Sequence, residues 1–129
     1  DSFSATAHPT AIRMMLALAA QHEWFTNSTD IRNAFIAAPI DHDVYVRPPA
    51  GLEEPEGKVW KLRSFLYGLA DSSRGFWKML KRKMMEFGFV QTTADECVYS
   101  YSDGAGGELH VVTVVDDMIQ VGNSPELLL

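Results

Sequence analysis

The stretch VTVVDDMIQVG, residues 112–122, decides how this chain is read. Its β-branched and apolar residues read as buried strand, yet two carboxylates, Asp116 and Asp117, stand side by side in its middle. An ionised carboxylate taken out of water is costly unless something pairs with it. Three partners are open: water at a hairpin turn, a basic side chain, or a metal ion. Consecutive strand residues face opposite sides of a sheet, so both aspartates can line one site only where the chain bends. The spacing predicts a turn on Asp116 and Asp117, between Val115 and Met118. Asp-Asp lacks the glycine that tight primed hairpins favour, so a turn by itself accounts for the pair only in part. A hard divalent cation, which takes carboxylate oxygens and needs them held at a rigid strand end, accounts for it better.

A metal pair calls for a further carboxylate from elsewhere, and STDIRNAF, residues 28–35, offers Asp30 at the end of another apolar-flanked strand. Around these two segments the chain has the makings of one globular domain: 129 residues, 47% apolar and 22% charged. No run approaches the roughly eighteen apolar residues a membrane helix needs, and the N-terminus lacks a basic region followed by an apolar core and cleavage site. The expectation is a soluble, intracellular protein. The single cysteine, Cys97, excludes an internal disulfide and a thiolate zinc site, and reads as a small core residue. The sequence starts at Asp1 without Met, close to a helix start, and reads as a fragment.

A net charge of −6 argues against an autonomous nucleic-acid binder, which usually carries a basic patch. The one cationic concentration is Arg74, Lys78, Lys81, Arg82 and Lys83, on a segment whose Phe76, Trp77, Leu80, Met84 and Phe87 recur at helical spacing. On charge alone a solvated helix face is favoured there over a phosphate-tracking role.

Helices are expected over residues 9–24, where Pro9 and Thr10 are start signals, over residues 33–38 ahead of Pro39, and over residues 72–87, ended by Gly88. Short strands are expected at residues 25–31, 44–46 and 59–62. Past the third helix, ECVYSYSDGAGGELHVVTVV reads as two strands joined by a Gly-rich turn, and MIQVG as a third. His8, His22, His42 and His110 show no metal-binding spacing. The Gly-rich stretch opens no helix and lacks the lysine of a phosphate loop, and Glu53, Glu54 and Glu56 fall in a Pro-containing loop that solvation explains.

Six segments taken in order carry a resemblance. PTAIRMMLALAAQHEW (9–24) resembles the helix ahead of the first catalytic strand in the reverse transcriptases of copia-type retrotransposons. TDIRNAF (29–35) is similar to that family's Asp-Val-x-x-Ala-Phe, and VYVRPPAGL (44–52) to its Val-Tyr-x-x-x-Pro-x-Gly-Phe. LYGL (66–69) stands as the family has it. FGFVQTTADECVY (87–99) resembles Gly-Phe-x-x-x-x-x-Asp-x-Cys-x-Tyr, and VVDDMIQVG (114–122) the Tyr-Val-Asp-Asp hairpin. Each is weak alone; together, at the family's spacing, they are specific.

The resemblance implies an α+β polymerase palm with an antiparallel sheet, in which Asp30, Asp116 and Asp117 hold two Mg²⁺ ions, or Mn²⁺ in their place. It implies nucleotidyl transfer from a deoxynucleoside triphosphate to a primer 3′-hydroxyl on an RNA or DNA template-primer. Phe35 matches the aromatic under the incoming sugar, where a 2′-hydroxyl would collide; ordinary core packing is its other reading. The backbone at Ala34 and Phe35 matches nucleotide contacts, and Gly68 a close approach to template and nucleotide, or simply a turn residue. The whole chain, 1–129, would be part of a reverse transcriptase palm within a Pol polyprotein, with fingers, thumb, integrase and RNase H elsewhere and no membrane partner. The family's basic fingers segment is not among these residues, which accounts for the acidity. Localisation would be cytoplasmic, in an element particle, or nuclear.

Two departures bear on activity. Val114 stands where the family usually has an aromatic, and ADSSR, Ala70 to Arg74, where it commonly has Lys-Gln-Ser-Pro-Arg; a cation is replaced and an anion, Asp71, arrives. The alternative reading, from a different class, is a non-catalytic relic that keeps the palm without the polymerase. A nucleotidyl cyclase would share acidic strand ends but not LYGL or VYVRPPAGL.

Overall fold

A computed structural model describes residues 4–52 and 57–128. The acidic loop group Glu53, Glu54 and Glu56 lies outside the described residues. Helix α1 (Pro9–His22) starts where Pro9 supplies a helix-ready φ, and the His8 side chain accepts a hydrogen bond from the Thr10 amide at 3.2 Å. Strand β1 (Phe25–Asp30) and the one-turn helix α2 (Ala34–Ala37) follow, then a two-stranded ribbon of β2 (Tyr45–Val46) and β3 (Trp60–Lys61). Helix α3 (Ser72–Glu86) leads into β4 (Val90–Gln91), β5 (Val98–Ser102), β6 (Glu108–Val114) and β7 (Asp117–Gly122). A short 3₁₀ turn, Pro125–Leu127, ends the described chain.

The main sheet is antiparallel throughout, in the order β1-β7-β6-β5-β4. Strand alternation divides its residues between two cores. Tyr99, Leu109 and Val111 face α2 and α3 with Phe35, Phe65, Phe76 and Leu80, whereas Val98, Val112 and Val121 face α1 with Met15 and Ala19. This mixed α/β architecture with an antiparallel sheet agrees with the expected class. The sequence reading overlooked β4, which has only two residues and no alternation to detect.

Helix α3 buries Ser72, Phe76, Leu80 and Met84, every fourth residue. Phe87, expected on that stripe, is 72% exposed. The helix stops at Glu86, Gly88 turns the chain at φ +88, and Phe89 enters the core in its place at 7% exposure. Gly75 answers to a close approach: a Cβ there would lie 2.0 Å from the Phe65 ring, so the ring packs directly on the helix backbone.

The motif Asp-x-Cys-x-Tyr acquires a structural account. The Asp95 carboxylate accepts from the His8 amide at 2.8 Å and from the Cys97 amide at 2.9 Å, tying the entry of α1 to the start of β5. Asp95→Ala strands both donors; it is expected to cost about 1–3 kcal/mol, read as a lowered denaturation midpoint with unchanged m-value. An unchanged midpoint would show that water satisfies both amides equally well.

Candidate active site

The hairpin between β6 and β7 closes on the pair Val114 and Asp117, so its two-residue loop is Val115 and Asp116. The sequence places the loop one residue later, on Asp116 and Asp117, and the pairing of Val114 with Asp117 moves it. The register is pinned at the far end of the hairpin. Gly122 lies opposite Leu109, and a Cβ at Gly122 would stand 2.8 Å from the Glu108 carbonyl oxygen, a clash that only glycine avoids. Counting back from that pair sets Val114 against Asp117.

The consequence falls on Val115, a β-branched residue held at φ +56. The left-handed region costs a non-glycine residue about 1–3 kcal/mol, while glycine adds roughly 0.5–1 kcal/mol of chain entropy to the folding cost. Val115→Gly is therefore expected to stabilise the fold by about 1 kcal/mol, visible as a higher melting temperature. A lower one would mean that the Val115 side chain, 41% exposed, makes contacts worth more than the strain.

The same register brings the three sequence-derived aspartates to one end of the sheet. Asp30, the last residue of β1, is the direct cross-strand partner of Asp117. One residue on, the Ile31 amide donates to the Asp116 carbonyl at 2.8 Å. Direct partners share a face with Cβ atoms about 4.5–5.5 Å apart, so Asp30 and Asp117 are neighbours and Asp116 caps them from the turn. Asp30 and Asp117 are exposed and Asp116 half-buried.

Like charges directly opposite each other on two strands repel. Among the described residues no lysine, arginine or histidine lies within 4.0 Å of any of the three carboxylates. Of the three partners left open by the sequence, a basic side chain is thereby removed, and water and a metal ion remain. As hard oxygen donors at a strand end the three suit Mg²⁺ in kind. Among the described residues no three His, Cys, Asp or Glu side chains converge closely enough to hold an ion. Convergence at this site calls for carboxylate rotamers other than those present, and exposed side chains change rotamer without repacking a core.

The other expected site residues lie behind this end. Ala34 is fully buried and Phe35 is 8% exposed, both in the core cluster on the α3 side of the sheet. The Phe35 ring meets Phe76 edge-on at 6.0 Å and Tyr67 at 4.6 Å. Tyr67, 60% exposed, is the aromatic that continues the Phe35 cluster to the surface, and the sequence reading passed over it inside LYGL. Gly68 sits in the following turn at φ +93 with open space where a Cβ would be, so conformation rather than crowding calls for glycine there.

Comparison with known sequences bears on this arrangement. The sequence model of the family described as "Reverse transcriptase (RNA-dependent DNA polymerase)" matches residues 1–128. Among curated relatives, the Retrovirus-related Pol polyprotein from transposon RE1 of Arabidopsis thaliana is 31% identical over 130 residues, covering 99% of this chain and 9% of the relative. That from transposon TNT 1-94 of Nicotiana tabacum is 30% identical, covering 99% and 10%. The Truncated transposon Ty1-A Gag-Pol polyprotein of Saccharomyces cerevisiae is 29% identical over 117 residues, covering 90% and 9%. The chain thus spans about a tenth of the length of these relatives. No solved structure matches. No described helix is long and apolar enough to cross a membrane.

Proposed function

The chain belongs to the reverse transcriptase family of copia-type retrotransposon Pol polyproteins, and from that premise we propose that it forms the palm of an RNA-directed DNA polymerase with Asp30, Asp116 and Asp117 at its catalytic centre. The observation that carries this reading is the sheet register. Residues 86 positions apart in sequence, Asp30 and Asp116, are tied together by the Ile31 amide, and Asp30 stands opposite Asp117 with no basic side chain within 4.0 Å of either among the described residues.

The chemistry of nucleotidyl transfer is in-line displacement at phosphorus, helped by divalent ions that make the 3′-hydroxyl a better nucleophile and neutralise charge on the leaving pyrophosphate. The protein's share is to hold such ions and fix the reacting groups. Asp30 and Asp117 would hold them from adjacent strands, and Asp116 from the turn. Strand pairing fixes the backbones of Asp30 and Asp117, and the Ile31 amide holds the carbonyl of Asp116 in the turn, so side-chain torsions are what remain to be ordered on binding. Ala34 and Phe35, starting α2 four residues beyond Asp30, would set the floor for the incoming nucleotide, and Gly68 the path of the chain beside the template.

The test is primer extension on an RNA template by a Pol chain containing these residues, with and without Mg²⁺. Template-directed, Mg²⁺-dependent extension is expected. A folded chain that binds template-primer and extends nothing would favour the non-catalytic relic. The 129-residue chain alone is expected not to extend, because holding primer end and triphosphate in attack geometry, worth up to about 7–11 kcal/mol, calls for surfaces on both sides of a palm.

A further inference from the structure

We propose that Gln120 and Thr29 are positioning residues for Asp30: the hydrogen bond between their side chains holds the carboxylate-bearing end of β1 against β7, where Asp30 and Asp117 repel; this rests on the polymerase reading and deepens it. Strand β1 is the outermost strand of the main sheet, paired with β7 along one edge. Of its six residues five are exposed and Thr29 alone is half-buried, and none belongs to either buried apolar cluster. Trp24 and Ile31, on either side of it, pack into opposite cores. A strand that buries so little is held mainly by its backbone ladder, and such ladders open from their ends. Asp30 stands at that end directly opposite Asp117, and like charges in that relation push the strands apart.

Gln120 supplies the opposing force. Its side chain is fully buried on β7, between Asn27 of β1 and Val111 of β6, and Val111 belongs to the apolar core on the α3 side. A carboxamide in such a place costs free energy unless its hydrogen bonds are made, and its nitrogen donates to Thr29 Oγ1 at 2.9 Å. The bond runs on a diagonal, since Gln120 lies opposite Asn27 and Thr29 opposite Met118. A long side chain spans that distance, so the amide grips β1 two residues nearer to its end than its own cross-strand pair would. Strand alternation turns Thr29 to one face and Asp30 to the other. The grip is therefore from behind the carboxylate, which stays exposed. Just past it the Ile31 amide donates to the Asp116 carbonyl at 2.8 Å, and that bond breaks when the end opens.

The test is hydrogen exchange of the Ile31 amide, read residue by residue in a Pol chain containing these residues, at low ionic strength and without divalent metal. The Thr113 amide, which donates to the Cys97 carbonyl at 2.9 Å away from β1, is the control for general loosening. Thr29→Val with Gln120→Met nearly keeps both volumes and removes the bond without stranding a buried donor. The paired variant is expected to speed exchange at Ile31 about threefold to tenfold and to leave Thr113 unchanged, while Thr29→Ser, which keeps a hydroxyl, exchanges like the parent. Unchanged exchange at Ile31, or equal acceleration at both amides, overturns the proposal. Adding Asp117→Asn to the paired variant should return Ile31 to the parent rate, because the repulsion is gone. Exchange that stays fast would show that the bond opposes something other than the two carboxylates, and overturns the positioning role. Added Mg²⁺ should slow Ile31 in the paired variant, since an ion held by Asp30 and Asp117 favours the closed end. An Ile31 rate indifferent to Mg²⁺, with the other results as expected, would sink the polymerase reading while the strand-end role of Gln120 and Thr29 stands.

Discussion

Asp116→Asn in a polymerase-length chain is expected to lower template-directed extension by about three orders of magnitude, a loss of roughly 4 kcal/mol of transition-state stabilisation, with the fold intact. The amide keeps the shape of the carboxylate and removes its charge. The hairpin is held by the backbone of Asp116, whose carbonyl accepts from Ile31, and by the Val114 and Asp117 pair, none of which the substitution touches. Thermal melting should therefore be near that of the parent, or slightly above it, because one member of a crowded acidic end has been neutralised. Loss of activity accompanied by unfolding would mean that the Asp116 side chain holds the turn together, and would leave the catalytic reading without support. Full activity in a folded variant would refute it outright.

Phe35→Ala is expected to have the largest effect on stability, about 3–5 kcal/mol for removal of a buried phenylalanine ring. The ring is packed against Phe76 and Tyr67, and it is the largest side chain that α2, four residues long, buries in the core. Since stability of an ordinary domain is itself about 5–15 kcal/mol, this loss is a large share of it, and a loss of activity in the variant does not by itself report on sugar selection. Phe35→Leu, which keeps volume in the core, separates the two roles. If Phe35 also faces the incoming sugar, the leucine variant folds and incorporates ribonucleotides more readily relative to deoxyribonucleotides. An unchanged ratio in the folded leucine variant assigns Phe35 to packing alone. Both outcomes are read by chemical denaturation followed by extension with each kind of nucleotide.

Family, class and most elements could be read from local pattern. The start of α1 at Pro9, the end of α2 before Pro39, the turn at Gly88 and the strands of β5 to β7 each carry a signal within a few residues, because φ limits and side-chain periodicity act locally. The three aspartates were visible for the same reason: a charge inside an apolar strand is conspicuous without any knowledge of its neighbours. Long-range packing decided the rest. The loop of the hairpin sits on Val115 and Asp116 because Gly122, at the opposite end, is the residue that can lie against Glu108 and Leu109. No property of the dipeptide Asp-Asp contains that constraint. Pairing of Asp30 with Asp117 rather than with Asp116 follows from the same register, which is a relation between strands distant in sequence. Phe87 left the apolar stripe because Phe89 could reach the core once the helix had ended. Residues 39–42 came to lie beside the basic helix α3, with His42 taking up Asp41 and Asp71, a neighbourhood that the run of cations by itself does not contain. Sequence determines which chemical groups are available and which local shapes they favour; which of them meet, and which charges remain unpaired after the meeting, depends on contacts whose partners lie tens of residues away.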